Sequence, residues 1–230
     1  MILAAGRGTR MGAITEELPK PMLPVQERPL LEHIVERLGR AGIERFLIVV
    51  GYRHDVIEAH FAGRPGIEFR VQENVNGTGS AARLAREFVG DSPFFLSLGD
   101  ILVDPAAYIA CNSELLSHPG CGAVLGVKDV EDPWRAAAVY ARDGRVTEVI
   151  EKPPQGTSTT RWASAGLFAM RPAVFPYLDR LTPSERGEYE LTAIFESMLN
   201  DGIEVRMSAI EGRWLDVGRP EDLQTANLKG

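Results

Sequence analysis

The chain has 230 residues, of which 44% are hydrophobic and 25% are charged, an ordinary composition for a globular protein. Its formal net charge of −7 argues against a nucleic acid or an anionic membrane surface as a partner, because both favour a basic face. No run of about 18 apolar residues occurs and no secretion signal is evident, so we expect a cytoplasmic protein. Cys111 and Cys121 lack metal-ligand spacing and are predicted to be free thiols.

In the first 120 residues, short apolar runs alternate with segments of helical periodicity. Strands are predicted at 2–5, 46–51, 67–72 and 93–100, and helices at 30–42, 53–63, 80–90 and 105–116. Because helices rather than two-residue turns separate these strands, the connections should be right-handed crossovers and the sheet mostly parallel.

After Gly120 the pattern favours strands before it returns to helices. Strands are predicted at 122–130, 136–153, 161–172 and 203–209, the second of them as a hairpin about Asp143-Gly144, and helices at 172–180, at 189–200 and from Pro220. We predict one domain over residues 1–230, made of two halves, 1–120 and 121–230. The pattern leaves open whether the hairpin forms a small lobe.

The segment GRGTRMG, residues 6–12, follows the first predicted strand and is rich in glycine and arginine. Gly6 and Gly8 would let the backbone approach a ligand closely, and Thr9 and Arg10 can donate hydrogen bonds to it. Lys20 returns on a proline-flanked segment. Arg provides a planar fork and Lys a compact charge, so the segment is predicted to bind a triphosphate.

Two familiar phosphate-binding motifs fit this segment poorly. The P-loop requires a Gly-Lys pair followed by Ser or Thr, which the chain lacks. A dinucleotide-binding turn leads directly into a helix, and an acidic residue closes the next strand. Here prolines intervene in residues 18–24 and the strand at 46–51 ends in glycine. A nicotinamide-dependent oxidoreductase is therefore a disfavoured alternative.

The stretch LAAGRGTR (3–10) followed by LPKPMLPV (18–25) resembles the signature of sugar-1-phosphate nucleotidylyltransferases, which join a nucleoside triphosphate to a sugar 1-phosphate and release pyrophosphate. Six further segments resemble motifs of that family in the same order: VQENVNGTGSA (71–81), LSLGD (96–100), EKP (151–153), SAGLFAMRP (164–172), GEYELT (187–192) and WLDVGRPEDL (214–223). The resemblance implies a Rossmann-like three-layer α/β/α sandwich with a mixed, mainly parallel sheet. Residues 1–120 would bind the nucleotide and residues 121–230 the sugar phosphate.

The resemblance also assigns site residues. Those expected to bind the nucleotide are Leu3, Ala4, Ala5, Gly6, Gly8, Thr9, Arg10, Lys20, Gln72, Gly77, Thr78 and Asp100. Those expected to bind the sugar phosphate are Glu151, Lys152, Ala165, Gly166 and Glu190. Arg10, Lys20 and Lys152 would be the catalytic cations, with Lys152 on the attacking sugar phosphate and the other two on the triphosphate.

A magnesium ion is the expected cofactor, with Asp100 and Asp216 as its protein ligands. Mg²⁺ is seldom held by a full protein cage, and two carboxylates together with phosphate oxygens and water suit it. The expected partners are thus a nucleoside triphosphate and a sugar 1-phosphate. Assembly into a homo-oligomer is left open.

The resemblance implies that Gln72 and the glycine of the Gly77-Thr78 pair meet the edge of the base, and the Gln72 amide offers one donor and one acceptor there. Uracil and thymine present the complementary pair, so UTP or dTTP is favoured. Because an amide can flip, CTP is only weakly disfavoured, and GTP also stays open.

The sugar is not specified, and three positions depart from the pattern of glucose-1-phosphate thymidylyltransferases, among them Ala193, where an Asp frequently follows the Thr. Ile101 stands where many of those enzymes carry Asn, and Ser164 replaces an Asn that often precedes the Ala-Gly pair. We therefore expect a sugar-hydroxyl contact to be missing. A non-catalytic regulatory relative that binds nucleotide sugars is the alternative to an active enzyme, although the intact cations and aspartates argue against it.

Overall fold

The computed structural model describes residues 1–228. Its strands are β1 Ile2–Ala4, β2 Pro24–Val25, β3 Arg28–Pro29, β4 Phe46–Val50, β5 Ile67–Val71, β6 Phe94–Leu98, β7 Ile101–Val103, β8 Cys121–Asp129, β9 Ala137–Arg142, β10 Arg145–Glu151, β11 Trp162–Met170, β12 Glu204–Ala209 and β13 Trp214–Asp216. Its α-helices are α1 Leu30–Arg40, α2 His54–Phe61, α3 Thr78–Arg83, α4 Arg86–Val89, α5 Pro105–Ser117, α6 Phe175–Asp179, α7 Ala193–Asn200 and α8 Pro220–Leu228. Short 3₁₀ helices span Thr9–Thr15, Lys20–Met22 and Pro172–Val174.

One large mixed sheet organises the fold. Its strand order is β5-β4-β1-β6-β11-β8-β12-β10-β9. The first four strands are mutually parallel, whereas β11 is antiparallel to both β6 and β8. β12 runs parallel to β8, and β10 is antiparallel to β12 and β9. The strands of the two halves of the chain thus meet at the β6–β11 pair, and β10 and β11 run against the others.

Apolar side chains cover both faces of this sheet, because successive residues of a strand point to opposite sides. In β1, Ile2 belongs to a buried cluster that includes residues of α1, α2 and α5. Its neighbour Leu3 belongs to a second cluster that includes residues of α3, α6 and α7. Near-continuous apolar runs such as β4 are buried on both sides, as predicted. Cys111 and Cys121 are buried free thiols, as expected.

Several sequence-based boundaries are wrong, for physical reasons that involve distant residues. The hairpin β9–β10 does not form a separate lobe, because its strands pair with β11 and β12 of the main sheet. The helix predicted at 80–90 is divided into α3 and α4, since Leu84 and Ala85 have ψ angles of −12° and −9°, typical of a turn. The strand predicted at 93–100 ends at Leu98, and the following residues form β7 in a separate two-stranded sheet.

The helix predicted at 189–200 begins only at Ala193. Its expected first turn instead lies against the residues that precede α3, with Tyr189 N donating to Asn76 O at 2.8 Å and Gly79 N donating to Tyr189 O at 2.7 Å. These long-range backbone hydrogen bonds replace the local ones that a helix would have made.

Within residues 1–228, no helix has both the length and the apolar character required to cross a membrane.

Gly166 provides a test of the β11 geometry. It has a φ of 74°, in the left-handed region, and lies in an irregular stretch of β11 between Ser164 and Phe168. A Cβ atom there would lie 2.8 Å from Ile101 Cγ1 and 2.9 Å from Leu98 Cδ1. We expect Gly166→Ala to lower the free energy of unfolding by about 2–4 kcal/mol in urea denaturation, from backbone strain and overpacking together.

Gly120→Ala is the matched control for this substitution. A Cβ at Gly120 would meet no atom within 4 Å, so its effect should be much smaller. Equal stability losses in the two variants would contradict the β11 geometry.

Candidate active site

A pocket of about 390 Å³ lies where the two halves of the sheet meet. Most of the residues predicted for the site line it: Leu3, Ala4, Ala5, Gly6, Gly8, Arg10, Lys20, Gln72, Gly77, Thr78, Asp100, Glu151, Lys152, Gly166, Glu190 and Asp216. The structure therefore brings residues from the whole length of the chain into one cleft.

Two predicted site residues do not line the pocket. Thr9 is exposed at the start of the first 3₁₀ helix. Ala165 is fully buried in the core, because its neighbours Ser164 and Gly166 in β11 face the pocket and alternation turns Ala165 to the other side. Its backbone carbonyl instead accepts a hydrogen bond of 3.1 Å from Trp214 Nε1.

The residues assigned to the site from the sequence leave out part of the pocket wall. The additional residues are Pro21, Val75, Ala81, Leu98, Gly99, Arg135, Ala136, Ala137, Phe168, Glu188, Leu191 and Thr192. Glu188 and Thr192 lie inside the GEYELT segment, so their position in the motif was a usable signal. Arg135 lies in an irregular segment before β9, and only the tertiary structure reveals its place.

The glycine-rich loop packs directly on Lys20. Gly8 has a φ of 67°, and a Cβ there would lie 2.9 Å from Lys20 Cβ, so glycine is required for this approach. Thr15 Oγ1 lies 3.2 Å from the carbonyl oxygens of both Gly8 and Gly12, to which it donates. The loop thus has a defined conformation beside a buried ammonium group.

Asp100 and Asp216 are brought together by the short antiparallel ribbon of β7 and β13. Asp216 pairs with Ile101 in the register of this ribbon, and Val217 N donates to the backbone carbonyl of Asp100 at 2.9 Å. Lys20 Nζ lies 2.5 Å from Asp100 Oδ2. The ribbon therefore joins two carboxylates that are far apart in sequence.

Arg10 belongs to the same charged cluster. A Cβ placed on Gly218 would lie 3.2 Å from Asp216 Oδ1 and 3.8 Å from Arg10 Nη1, so both side chains reach the same point of the backbone. The pocket is thus lined by alternating positive and negative groups within a small volume, an arrangement suited to a polyanion and a cation together.

The carboxyl group of Asp216 has an altered affinity for protons. The residue keeps contact with solvent, but its enclosure by the pocket wall raises its pKa to about 6. The negative charge of Asp100 also raises this pKa, whereas Lys20 and Arg10 lower it. A cation bound between the two carboxylates would relieve both effects.

The donor set at the two aspartates suits a hard cation. Within residues 1–228, no cluster of three or more His, Cys, Asp or Glu side chains could hold a metal by itself. Two adjoining carboxylates supply oxygen ligands only, which Mg²⁺ prefers, and leave positions for substrate oxygens and water. The residues present therefore fit the expected ion.

On the other side of the pocket, a hydrogen-bonded network holds two more carboxylates. Arg186 Nη2 lies 2.5 Å from Glu190 Oε1 and 3.4 Å from Glu151 Oε1. Thr192 Oγ1 donates to Glu151 Oε2 at 2.7 Å. Lys152 follows directly, with its Nζ 3.7 Å from Glu151 Oε1 and a left-handed φ of 43°, a strained conformation for a residue with a side chain.

The segment predicted to meet the base is fixed to the segment predicted to meet the sugar. Besides the backbone hydrogen bonds of Tyr189, Leu191 N donates to Thr78 Oγ1 at 3.0 Å. Gly77 has a φ of 133°, and a Cβ there would lie 2.4 Å from Tyr189 O, so the two segments are in close backbone contact. They form one continuous wall of the pocket.

The family model described as nucleotidyl transferase matches residues 1–230. The chain belongs to this family. The resemblance to sugar-1-phosphate nucleotidylyltransferases seen in the sequence is thereby confirmed. The Bifunctional protein GlmU of Methanococcus maripaludis is 33% identical over 229 residues, which cover 99% of this chain and 53% of GlmU. The chain therefore spans about half the length of this relative.

Two other relatives of this nucleotidyl transferase are matched over nearly their whole length. The UTP–glucose-1-phosphate uridylyltransferase AglF of Haloferax volcanii is 30% identical over 234 residues, covering 100% of this chain and 95% of AglF. A Bacillus anthracis crystal structure, assigned as a glucose-1-phosphate thymidylyltransferase in complex with sucrose, has a TM-score of 0.86 and 29% identity. That match covers 99% of this chain and 92% of the other.

The raised pKa of Asp216 predicts a pH-dependent stability of this nucleotidyl transferase in chelator. The Asp216 carboxyl has a pKa of about 6 in the folded protein, whereas its ordinary pKa is 3.8. It therefore stabilises the fold fully at pH values below 3.8, and this contribution is lost as the pH rises through about 6. Asp216→Asn removes that loss. In urea denaturation at pH 8, we expect the variant to have a higher free energy of unfolding than the unsubstituted protein. At pH 5 the difference should be smaller.

Asp91→Asn is the control for this experiment, since Asp91 is exposed in the loop before β6. Its effect on stability should not grow between pH 5 and pH 8. A stability difference for Asp216→Asn that was constant with pH, or larger at pH 5, would contradict the raised pKa.

Proposed function

We propose that the protein is a sugar-1-phosphate nucleotidyltransferase that condenses a nucleoside triphosphate, UTP or dTTP, with a sugar 1-phosphate to give a nucleotide sugar and pyrophosphate. The observation that supports this most is the convergence of Arg10, Lys20 and Lys152 with Asp100 and Asp216 in one pocket. Such a mixture of charges suits the reaction, because an anionic phosphate must approach a phosphorus atom that is itself surrounded by negative oxygens.

In the proposed reaction, an oxygen of the sugar phosphate attacks the α-phosphorus of the triphosphate, and the bond from that phosphorus to the bridging oxygen breaks to release pyrophosphate. Arg10 and Lys20 bind the triphosphate oxygens, and Lys152 binds the sugar phosphate from the other side of the pocket. The attacking phosphate is ionised at neutral pH, so no side chain has to remove a proton from it.

Asp100 and Asp216 are proposed to hold Mg²⁺, which would supply positive charge to the phosphate oxygens when bound. Lys20 holds the Asp100 carboxylate at 2.5 Å, and so orients one ligand of the ion. The β7–β13 ribbon orients the other, since the backbone on which Asp216 lies is paired with that of Ile101.

Glu151, Glu190 and Thr192 are proposed to meet the sugar. Arg186 and Thr192 already engage oxygens of the two carboxylates, so the carboxylates are ordered as acceptors for sugar hydroxyl groups. Ile101 and Ser164 also line the pocket. Ile101 lacks a hydrogen-bonding group, and the missing sugar-hydroxyl contact stays a prediction.

The remaining sequence-based expectations are also retained as proposals. The clusters of helix residues on both faces of the sheet support a Rossmann-like three-layer sandwich. A single domain with nucleotide and sugar-phosphate halves is supported by the sheet, which includes strands from both. The cytoplasmic location stays a prediction, and assembly into a homo-oligomer stays open.

The direct test is to incubate the protein with each nucleoside triphosphate, Mg²⁺ and a panel of sugar 1-phosphates, and to measure pyrophosphate. We expect release with UTP or dTTP and at least one sugar 1-phosphate. The absence of pyrophosphate across the panel, with nucleotide sugar still binding, would support the regulatory alternative. Preferred use of GTP or ATP would overturn the choice of base.

The two aspartates should be essential for turnover. Asp100→Asn and Asp216→Asn should each slow pyrophosphate release by about a hundredfold or more, the usual scale for loss of an electrostatic group. Excess chelator should abolish activity. Full activity in chelator, or in either variant, would be incompatible with the proposed cation site.

The cations should divide between the substrates. Lys152→Ala should chiefly raise KM for the sugar phosphate, whereas Arg10→Ala and Lys20→Ala should chiefly raise KM for the triphosphate, as measured in steady-state kinetics with each substrate varied. Arg7→Ala is the control in the same loop, because Arg7 stacks on Tyr52 outside this pocket. The opposite division would reverse the proposed orientation of the substrates.

A further inference from the structure

The side-chain amide of Gln72 is anchored on one side by the protein. Gln72 is buried at the end of β5 and lines the pocket. Its Nε2 donates to Gly77 O at 3.1 Å and to Ser80 Oγ at 2.8 Å. Both hydrogen atoms of the amide group are therefore engaged by the turn that leads into α3.

The chemistry of these two acceptors fixes which end of the amide faces them. The carbonyl of Gly77 can only accept, so it requires the nitrogen. The single proton of the Ser80 hydroxyl is directed to one of two acceptors, Asn76 Oδ1 at 2.6 Å or Gly77 O at 2.8 Å, and in either case the hydroxyl oxygen is left to accept from Gln72. A flipped amide would place Oε1 against the Gly77 carbonyl oxygen, and Ser80 could donate to Oε1 only by giving up its hydrogen bond to Asn76 or Gly77.

The other end of the amide stays available to a ligand. Among residues 1–228, no group donates a hydrogen bond to Gln72 Oε1, and this atom is not among the fully enclosed polar atoms that lack a partner. Gln72 lines this pocket and also an adjoining one that includes Tyr52 and Glu73, so its carbonyl oxygen is an acceptor available to a ligand where the two meet.

We propose that Ser80 and Asn76 are positioning residues that fix Gln72 as an acceptor toward the base, and that this fixed orientation rejects CTP. The inference rests on the proposed function and deepens it. Uracil and thymine carry an N–H at ring position 3 that donates to such an acceptor, whereas cytosine presents a lone pair there. The two acceptors would repel each other, and the amide cannot flip to relieve the repulsion without breaking its own hydrogen bonds.

The inference thus implies a stronger rejection of CTP than the sequence-based expectation of a freely flipping amide does. It makes no distinction between uracil and thymine, which share the same edge at this position. It also gives Ser80 a role that its residue type does not indicate. Ser80 lies on α3 and acts through Gln72 rather than on the nucleotide.

The test compares UTP with CTP in the full chain carrying Ser80→Ala, Ser80→Thr or Ser197→Ala. Dissociation constants for both triphosphates are measured by titration calorimetry, and kcat/KM is measured with a sugar 1-phosphate that the unsubstituted protein uses. Ser80→Thr keeps the hydroxyl, and Ser197→Ala makes the same chemical change on the exposed face of α7.

We expect the unsubstituted protein to prefer UTP, and Ser80→Ala to lower the UTP-to-CTP preference by about fivefold or more, the scale of one lost hydrogen bond. Ser80→Thr should largely retain the preference, and Ser197→Ala should leave it unchanged. The inference would be overturned if Ser80→Ala weakened the binding of both triphosphates equally or left the preference unchanged. A preference for CTP in the unsubstituted protein would also overturn it.

Binding and turnover separate this inference from the proposed function. If no sugar 1-phosphate yields pyrophosphate, but calorimetry shows a preference for UTP that depends on Ser80, the positioning role stands and the catalytic proposal fails. If pyrophosphate is released and the preference is independent of Ser80, the catalytic proposal stands and the positioning role fails.

Discussion

The pairing of β7 with β13 is the constraint on which the site depends. It is a ribbon of three residue pairs, yet it places Asp216 beside Asp100 although 116 residues separate them. Without that pairing, Lys20 would contact one carboxylate and the second would have no fixed position. The main sheet supports the ribbon indirectly, because β6 leads into it and Gly99 packs closely on β1, where a Cβ would lie 2.7 Å from Leu3 O.

The second organising feature is the contact between residues 76–79 and residues 187–192, which together form one wall of the pocket. Because this contact consists of two backbone hydrogen bonds of Tyr189 and the hydrogen bond from Leu191 N to Thr78 Oγ1, the proposed base and sugar sites cannot shift independently of each other. Gly77 and Gly79 permit it, since a Cβ at either position would collide with this segment or with Leu181. The turn that orders Gln72 and the segment that carries Glu190 are thus held together by one set of contacts.

The sequence predicts the locally determined parts of the molecule well. The conformations of β1, β4 and the glycine-rich loop are determined mainly by residues close in sequence. Their apolar, glycine and charge patterns therefore predict the strands and the turn. The start of α7 could not be predicted, because Tyr189 forms hydrogen bonds with Asn76 and Gly79 instead of entering the helix. Ala165 was assigned to the site because it belongs to a motif, whereas strand alternation sends it into the core. Arg135 lies in an irregular segment, where residue type alone carries no information on position.

The central claim is that the two aspartates and the triphosphate complete one cation site together. It is tested most directly by the affinity of α,β-methylene-UTP, an analogue that cannot be cleaved at the reacting bond, measured by calorimetry with excess Mg²⁺ and with excess chelator. We expect Mg²⁺ to tighten binding by about tenfold or more in the unsubstituted protein, because two carboxylates alone do not form a full cage. We also expect Asp216→Asn to remove most of this gain. An affinity independent of Mg²⁺, or an equal gain in Asp216→Asn, would contradict the claim.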